Sequence, residues 1–435
     1  MFARLLAAGL GSALMATIGP VPQVVTAQLS AFPGVAIVSA TIDGDATAVQ
    51  SFGASYNADL PFEIGSITKT FTATLFADMI VKHEVAPDDP IERYLPPGAT
   101  APEFQGAQIT LEDLATQFSG LPRLPTNLAP ADAADPYADY DEAKLLAFLA
   151  SYKLTRAPGA SFEYSNVGYG LLGYLLARRL GVDYRTAIRT RILEPLGMPH
   201  TDVAVPGNPI VTVGGHDADA DPVPNWIFGV LAGAGGIVST PDDMLRFARA
   251  NLDTTQGPLA AAMQLAQRPR RDEGEGRRIG YAWITQPDGV VWHNGGTGGF
   301  RSFLGLDVAD RRAIVLLANG FVDAVDLLGF NALDPVTPLP LAPPLDAAVP
   351  DAVLAQYAGR YRFSNGSVAT ITRDERGLLF ALDTPPFHAR LHAVSAADFT
   401  LRSPQIGLHF SGSGPGTTIV ISAPGQPSDT GTRLP

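Results

Sequence analysis

The chain has 435 residues, of which 46% are hydrophobic and 17% charged, a composition typical of a globular protein with room for two or three domains. Its formal net charge of −13 argues against nucleic acid as a partner, because an acidic surface repels phosphate backbones. Since the chain has no cysteine, disulfide bonds, thiolate metal sites and a cysteine nucleophile are excluded.

Residues 1–27 have the pattern of a secretory signal peptide. Arg4 is followed by a short apolar run, and Val25 and Ala27 are the small or β-branched residues before a predicted cleavage near Ala27. A buried N-terminal helix is the alternative. The apolar run is too short for a comfortable membrane span, and no later segment is long and apolar enough. We therefore expect a periplasmic or secreted protein without stable membrane insertion.

The next elements predict an α+β domain over residues 28–334. Residues 33–53 predict two strands around an IDGD turn, and residues 280–319 predict further strands. Helical patterns lie between them, at residues 66–82, 111–117, 141–151, 167–180 and 241–251. A sheet built from both ends of a domain indicates an antiparallel sheet flanked by helices, with an all-helical subdomain.

The C-terminal part differs in composition. Residues 335–350 contain six prolines and predict a stiff linker. Beyond it, residues 351–435 consist of short alternating segments, which predict a small all-β domain, either a barrel or a sandwich.

A serine and a lysine stand three residues apart in the segment EIGSITKTF, residues 63–71. Ser66 and Lys69 share one face of the predicted helix, and Lys69 is one of only four lysines in the chain. The helix is apolar nearly all round, so burial and the nearby helix dipole should lower the pKa of Lys69 and let it take a proton from Ser66. The alternative is a helix-capping serine and a lysine that extends to the surface.

Two further segments carry polar groups suited to catalysis. Tyr164 and Asn166 precede a predicted helix; nearby cations could make the phenol a base, and the amide could bind a substrate amide. The alternative is a packed tyrosine and a helix cap. The glycines Gly168, Gly170 and Gly173 follow without a preceding strand, so we expect close helix packing rather than a dinucleotide site.

The second segment, residues 291–303, reads VWHNGGTGGFRSF. His293 would end a strand, and the glycines after it would allow an extended substrate to pair with the strand edge. A glycine-rich hairpin with a structural histidine is the alternative.

The order S-x-x-K, Y-x-N and [KH]-x-G across residues 33–320 resembles the penicillin-binding protein and β-lactamase superfamily of serine hydrolases. The most similar branch is the class C β-lactamase-like one, which includes D-aminopeptidases, DD-peptidases and esterases. The resemblance implies that Ser66 is the nucleophile, Lys69 its proton acceptor and Tyr164 the group that passes the proton to the leaving group.

The same resemblance implies an oxyanion hole made by the N–H groups of Ser66 and Gly296. It further implies substrate binding by Asn166, Asn294 and Gly295. His293 would occupy the position of the third motif. Class C β-lactamases have lysine at this position, and a histidine here resembles the peptidase and esterase members of the superfamily. If His293 takes part in proton transfer, the rate should change between roughly pH 5.5 and 7.5.

Other candidate sites are weaker. Arg301 could bind a substrate carboxylate or be a solvated strand charge. His388 and His392 lack a clear third metal ligand, and residues 217–221 (DADAD) match only half of a calcium loop. No G-x-S-x-G motif is present, which argues against an α/β-hydrolase. We expect neither a metal nor a cofactor.

The resulting expectation is an exported serine hydrolase that acts on a small molecule or peptide. The leading hypothesis is cleavage of an amide, in a small peptide such as a D-amino-acid cell-wall fragment or in a β-lactam. An esterase or a true class C β-lactamase is the first alternative. A non-catalytic module that binds penicillin or peptidoglycan is the second.

Overall fold

The computed structural model describes residues 21–383, 386–402, 406–423 and 426–435. These residues divide into two compact units. The first contains residues 21–25, Gly34–Asp217 and Pro222–Pro340, and the second contains Thr26–Pro33, Ala218–Asp221 and Leu341–Pro435. Most of the predicted signal peptide lies outside the described residues.

The first unit is built around an antiparallel sheet. Its strands are β1 (Ala36–Asp43), β2 (Ala46–Gly53), β3 (Phe62–Glu63), β4 (Glu103–Phe104), β5 (Ala107–Gln108), β6 (Asp202–Val203), β7 (Gly215–His216), β8 (Pro222–Val223), β9 (Ile237–Ser239), β10 (Arg271–Gly274), β11 (Arg277–Ile279), β12 (Ile284–Thr285), β13 (Val291–Gly296), β14 (Arg301–Asp307) and β15 (Arg312–Ala318). The main sheet has the order β10-β11-β12-β13-β14-β15-β1-β2. Ile37 of β1 pairs with Ala318 of β15, so the two ends of the domain meet in one sheet, as predicted.

Helices occupy the chain between the strands of this sheet and beyond it. They are α1 (Val21–Leu29), α2 (Thr68–Val81), α3 (Leu111–Ala115), α4 (Glu142–Ser151), α5 (Asn166–Leu180), α6 (Tyr184–Ile188), α7 (Glu194–Leu196), α8 (Pro241–Leu252), α9 (Ala260–Gln267), α10 (Val325–Leu333) and α11 (Asp351–Tyr357). The predicted helices are confirmed to within two residues at each end. None of the described helices combines the length and apolar character that a bilayer crossing requires.

Helix α2 is the buried helix that the apolar pattern predicts. All its residues from Thr68 to Met79 are buried. Phe71 stacks on Phe247 of α8 with 3.9 Å between ring centroids, and α8 in turn contacts β1 and β15. The two helices therefore form a layer on the sheet, and the turn Gly65–Ile67, which leads into α2, contacts β13.

The second unit contains a closed barrel, which confirms the all-β prediction. Its strands, all antiparallel to their neighbours, are β16 (Gly359–Arg362), β17 (Val368–Asp374), β18 (Gly377–Asp383), β19 (Pro386–Ala393), β20 (Asp398–Leu401), β21 (Ile406–Ser411), β22 (Thr418–Ser422) and β23 (Asp429–Arg433). Apolar side chains fill its centre, including Tyr361 and Phe410, and Tyr357 of α11 stacks on Phe410. Residues 338–350, in the proline-rich stretch, form neither helix nor strand.

Candidate active site

Ser66 lies in a short 3₁₀ turn, Gly65–Ile67, that leads into α2. The predicted helix start at residue 66 is therefore two residues early. Gly65 has a φ of +48°, and a Cβ on this residue would lie 2.5 Å from the backbone nitrogen of Gly296. Only glycine fits this turn, because both its backbone conformation and its contact with β13 exclude a side chain.

The strand β13 approaches the Ser66 turn equally closely through its own glycines. A Cβ on Gly295 would lie 2.0 Å from the carbonyl oxygen of Ile64. Ser302 Oγ of β14 donates to the same carbonyl at 2.8 Å. The glycine run thus brings the backbone of Gly296 to the nucleophile turn, and its function here is close backbone packing.

Lys69 is completely buried and makes three polar contacts. Its Nζ donates to Ser66 Oγ at 2.9 Å, to Asn166 Oδ1 at 2.8 Å and to the carbonyl oxygen of Ala234 at 2.7 Å. Burial lowers the pKa of Lys69 well below its ordinary value, and the positive charge of Arg123 lowers it further. The arrangement presents an amine of depressed basicity directly to a serine hydroxyl.

Tyr164 lies beside this pair. Lys69 Nζ is 4.9 Å from the centroid of its ring. Burial raises the pKa of Tyr164 to about 12, and the nearby Ser66 hydroxyl and the charge of Arg123 offset this only in part. The expectation that nearby cations would convert the phenol into a base is therefore wrong for the free protein, in which Tyr164 is a proton donor.

His293 faces the same group of side chains, with its ring centroid 6.4 Å from that of Tyr164. The side chain is buried, and its Nδ1 lies 2.6 Å from the carbonyl oxygen of Asn294. Burial, reinforced by Lys69, lowers the pKa of His293 to about 3. The imidazole is thus neutral near neutral pH, with Nδ1–H donated to the carbonyl and Nε2 left as an acceptor. This differs from the expectation of a histidine that titrates between roughly pH 5.5 and 7.5.

Asn294 points away from this cluster. Its Nδ2 donates to Asp326 Oδ2 of α10 at 2.5 Å. Successive side chains of a strand point to opposite faces, so the neighbour of His293 cannot share its direction. The predicted substrate-binding role of the Asn294 side chain is not supported by this placement.

Asn166 lies in the site, where its Oδ1 accepts a hydrogen bond from Lys69 Nζ at 2.8 Å. Helix α5 begins at Asn166, directly after Ser165, whose Oγ caps the helix by accepting from the N–H of Gly168 at 2.9 Å. Asn166 therefore positions Lys69, and its predicted contact with a substrate amide stays a prediction.

The predicted close packing of the α5 glycines is confirmed. A Cβ on Gly170 would lie 2.5 Å from Leu231 Cδ2, and one on Gly173 would lie 3.0 Å from the Cα of Gly233. This packing holds the turn Ala232–Ala234 against α5. It thereby supplies the Ala234 carbonyl to Lys69, a contact that no local pattern in the sequence predicts.

Glu63 is a buried acid that the sequence reasoning missed. It stands three residues before Ser66, and its Oε1 accepts from the backbone N–H of Trp226 at 2.8 Å. Its exposed fraction is 4%, and burial raises its pKa to about 7. The signal available in the sequence was an acidic residue within the otherwise uncharged segment FEIGS, residues 62–66.

The side chains of the weaker candidate sites, Arg301 and His392, make hydrogen bonds or ion pairs with other residues of the chain. Arg301 donates to the carbonyl oxygens of Thr297 and Phe300 and pairs with Asp323, so it is not a free carboxylate clamp. In the second unit, His392 lies 3.0 Å from carboxylate oxygens of both Asp219 and Asp346. In the described part of the chain, no group of three or more His, Cys, Asp or Glu side chains is arranged so that it could hold a metal ion.

Comparison with known proteins gives consistent similarities. A family model described as Beta-lactamase matches residues 22–333. The chain is 28% identical over 299 residues to the D-alanyl-D-alanine-carboxypeptidase/endopeptidase AmpH of Escherichia coli (strain K12), covering 63% of this chain and 76% of that protein. It is 30% identical over 294 residues to a protein of the same organism named Beta-lactamase, covering 59% and 75%.

Among solved structures, a class C beta-lactamase matches with a TM-score of 0.63 and 22% identity, covering 74% of this chain and 96% of that one. A mutant class C beta-lactamase matches with a TM-score of 0.62 and 98% coverage of that chain. The first unit therefore has the class C β-lactamase-like fold, and the eight-stranded barrel follows it.

Proposed function

Because the chain belongs to the β-lactamase family, we propose that it is a serine hydrolase that cleaves an amide through an acyl-enzyme on Ser66. The observation that carries the proposal is the 2.9 Å contact between Lys69 Nζ and Ser66 Oγ, made by a buried lysine of lowered pKa. A neutral amine at this distance can take the hydroxyl proton as the oxygen attacks a carbonyl carbon.

We assign the other groups their roles from their protonation states and from the hydrogen bonds that they can donate or accept. As the Oγ–C bond forms, the carbonyl oxygen becomes an oxyanion, which the N–H groups of Ser66 and Gly296 would stabilise. Tyr164, protonated in the free protein, would donate its proton to the leaving nitrogen as the C–N bond breaks, and would regain one from Lys69. Water then attacks the acyl carbon and gives a proton to Lys69. As the bond between this carbon and Ser66 Oγ breaks, Lys69 returns the proton to Oγ. His293, neutral, would offer Nε2 as a hydrogen-bond acceptor.

We propose a small peptide as the substrate, of the kind found at D-amino-acid termini of cell-wall fragments. The support is the similarity to AmpH, whose name describes a D-alanyl-D-alanine carboxypeptidase and endopeptidase. A second candidate is hydrolysis of β-lactams, favoured by the 30% identity to a protein named Beta-lactamase. Histidine instead of lysine in the third motif weighs toward the first candidate.

We also propose that the protein is exported. The support is the apolar N-terminal segment, although a cut near Ala27 would interrupt α1 and remove Val25, which is only 1% exposed. Fractionation of expressing cells tests the export, and N-terminal sequencing of the mature protein locates the cut.

The catalytic proposal is tested with four substrates: a fluorescent penicillin, a chromogenic cephalosporin, a short-chain nitrophenyl ester and D-alanyl-D-alanine. We expect turnover of the dipeptide that disappears in Ser66→Ala, with the β-lactams turned over slowly or retained as acyl adducts. Fast cephalosporin turnover without dipeptide cleavage would favour the β-lactamase. Labelling or binding without turnover of any substrate would indicate a binding module and overturn the proposal.

A further inference from the structure

An exposed arginine stands at the edge of the site. Arg123 lies in the loop between α3 and α4, and its carbonyl oxygen accepts from the backbone N–H of Asn166 at 2.9 Å. Its backbone is thus fixed at the first residue of α5. Its Cζ lies 5.1 Å from the centroid of the Tyr164 ring, almost the same distance as Lys69 Nζ on that ring.

This guanidinium has no carboxylate partner within the described part of the chain. Arg156, Arg271 and Arg301 each pair with a carboxylate, whereas no ion pair of Arg123 exists among the described residues. Asp135, an acid of the same loop, accepts from the N–H of Ile227. In a protein of net charge −13, this exposed and unpaired guanidinium next to the Tyr164 ring can attract an anionic group.

We infer that Arg123 binds a carboxylate of the substrate, an inference that rests on the proposed acyl transfer at Ser66. A guanidinium suits this task because its planar N–H groups match a carboxylate in a bidentate contact. Arg123 Cζ and Lys69 Nζ lie 5.1 and 4.9 Å from the centroid of the same ring, that of Tyr164. The bound carboxylate should therefore lie within roughly one or two residues of the scissile bond. The substrate class is accordingly an acidic or carboxylate-terminated peptide or acyl compound.

The test compares matched neutral and anionic esters. 4-Nitrophenyl valerate and mono-4-nitrophenyl glutarate differ mainly by a terminal methyl or carboxylate on the acyl chain. 4-Nitrophenyl acetate and 3-carboxy-4-nitrophenyl acetate place the difference on the leaving group instead. For each pair, the ratio of kcat/KM for the anionic to the neutral ester is measured in the natural protein, Arg123→Ala, Arg123→Lys and Arg123→Glu.

In at least one pair we expect this ratio to fall by about tenfold or more in Arg123→Ala, as loss of a charged hydrogen bond predicts. It should fall further in Arg123→Glu and less in Arg123→Lys. The pair that responds identifies which side of the scissile bond carries the carboxylate. Lys82→Ala, which removes a charge about 24 Å along the helix from Ser66, should leave both ratios unchanged.

The ratio separates binding from an indirect effect. The charge of Arg123 also lowers the pKa of Lys69, but an effect through Lys69 would change both esters of a pair equally. Unchanged ratios in Arg123→Ala would overturn the inference even while Ser66-dependent turnover persists.

A binding measurement keeps the inference independent of turnover. Saturation-transfer NMR on Ser66→Ala compares glutarate with uncharged glutaramide. Preference for glutarate that disappears in Ser66→Ala/Arg123→Ala supports the carboxylate site, whatever the fate of the catalytic proposal. Equal binding of glutarate with and without Arg123 contradicts it. Absence of Ser66-dependent ester and amide turnover would instead count against the proposed function alone.

Discussion

Gly65 and Gly296 are in direct backbone contact, close enough that a single methyl group on Gly65 would overlap the Gly296 nitrogen. The contact joins the turn Gly65–Ile67 to the end of β13, and it therefore sets the distance between the two N–H groups proposed to bind the oxyanion. Neither backbone can move away without disturbing a buried helix or the central sheet.

Gly65→Ala should therefore impair activity much more than its size suggests. We expect kcat/KM to fall about 100-fold, because a displacement of about 1 Å at a reacting centre has this effect. The free energy of unfolding should fall by about 1–3 kcal/mol. Gly416→Ala is the control, since a Cβ there meets nothing within 4 Å. Half of the natural activity in Gly65→Ala would contradict the close contact.

Lys69→Met should keep the volume of the buried side chain but remove the amine that is proposed as the general base. Because Ser66 then has no proton acceptor, turnover should fall by about 10³-fold, within the range typical of general-base removal. Lys69→Arg should also lose nearly all turnover, since a guanidinium does not deprotonate. Circular dichroism and thermal unfolding check the fold, and Lys82→Met is the matched control. A folded Lys69→Met with half the activity would refute the role of Lys69.

Tyr164→Phe should affect amides more than activated esters. A peptide nitrogen must be protonated to leave, whereas nitrophenolate leaves as an anion. We expect dipeptide turnover to fall about 100-fold and nitrophenyl ester turnover to fall much less. Tyr56→Phe serves as the control for removing a phenol hydroxyl elsewhere. Equal losses on both substrates would show that Tyr164 does not protonate the leaving group.

The pH dependence of kcat/KM should have an acid limb that belongs to Lys69. Activity falls as pH falls through its lowered pKa, because protonated Lys69 cannot accept the serine proton. His293 stays neutral down to about pH 3, so it adds no inflection near neutral pH. His293→Gln should lower the rate without moving the midpoint of the limb. An inflection between about pH 5.5 and 7.5 that disappears in this variant would contradict the assignment.

Glu63 should make the folded state less stable as pH rises. Its folded pKa is about 7 against an ordinary value of 4.5, so the native protein holds the proton after the unfolded chain has lost it. The contribution of protonated Glu63 to the free energy of unfolding is therefore fully present below pH 4.5, and about 3 kcal/mol of it is lost by pH 7. Thermal unfolding measured across this pH range should show that the stability of Glu63→Gln, relative to that of the natural protein, increases as pH rises. Parallel curves for the two proteins would contradict the shift.

Local sequence patterns were sufficient to predict much of this arrangement. Helical spacing placed Lys69 on the same face as Ser66, and apolar residues on every side predicted a buried helix. The order of three short motifs predicted the class C-like fold. The first two predictions depend only on residues within a few turns of one helix, and the third depends on a family pattern. None of the three requires knowledge of the contacts in the folded protein.

The contacts and charge states could not be predicted in the same way. Asn166 and Ala234 reach Lys69 across 97 and 165 residues of chain. The pKa values of Tyr164 and His293 are dominated by burial, which a motif does not reveal. The direction of the Asn294 side chain depends on which face of β13 meets the Ser66 turn, and one residue of register would have reversed it.

The three acceptors around Lys69 Nζ also determine what a lost proton does. An ammonium can serve Ser66 Oγ, Asn166 Oδ1 and the Ala234 oxygen together, whereas a neutral amine has two hydrogens and one lone pair. The amide and carbonyl oxygens can only accept, so they retain the two hydrogens. The lone pair is left facing the one neighbour with a proton of its own, the serine hydroxyl. Deprotonation thus reverses the direction of that hydrogen bond while every side chain stays in place.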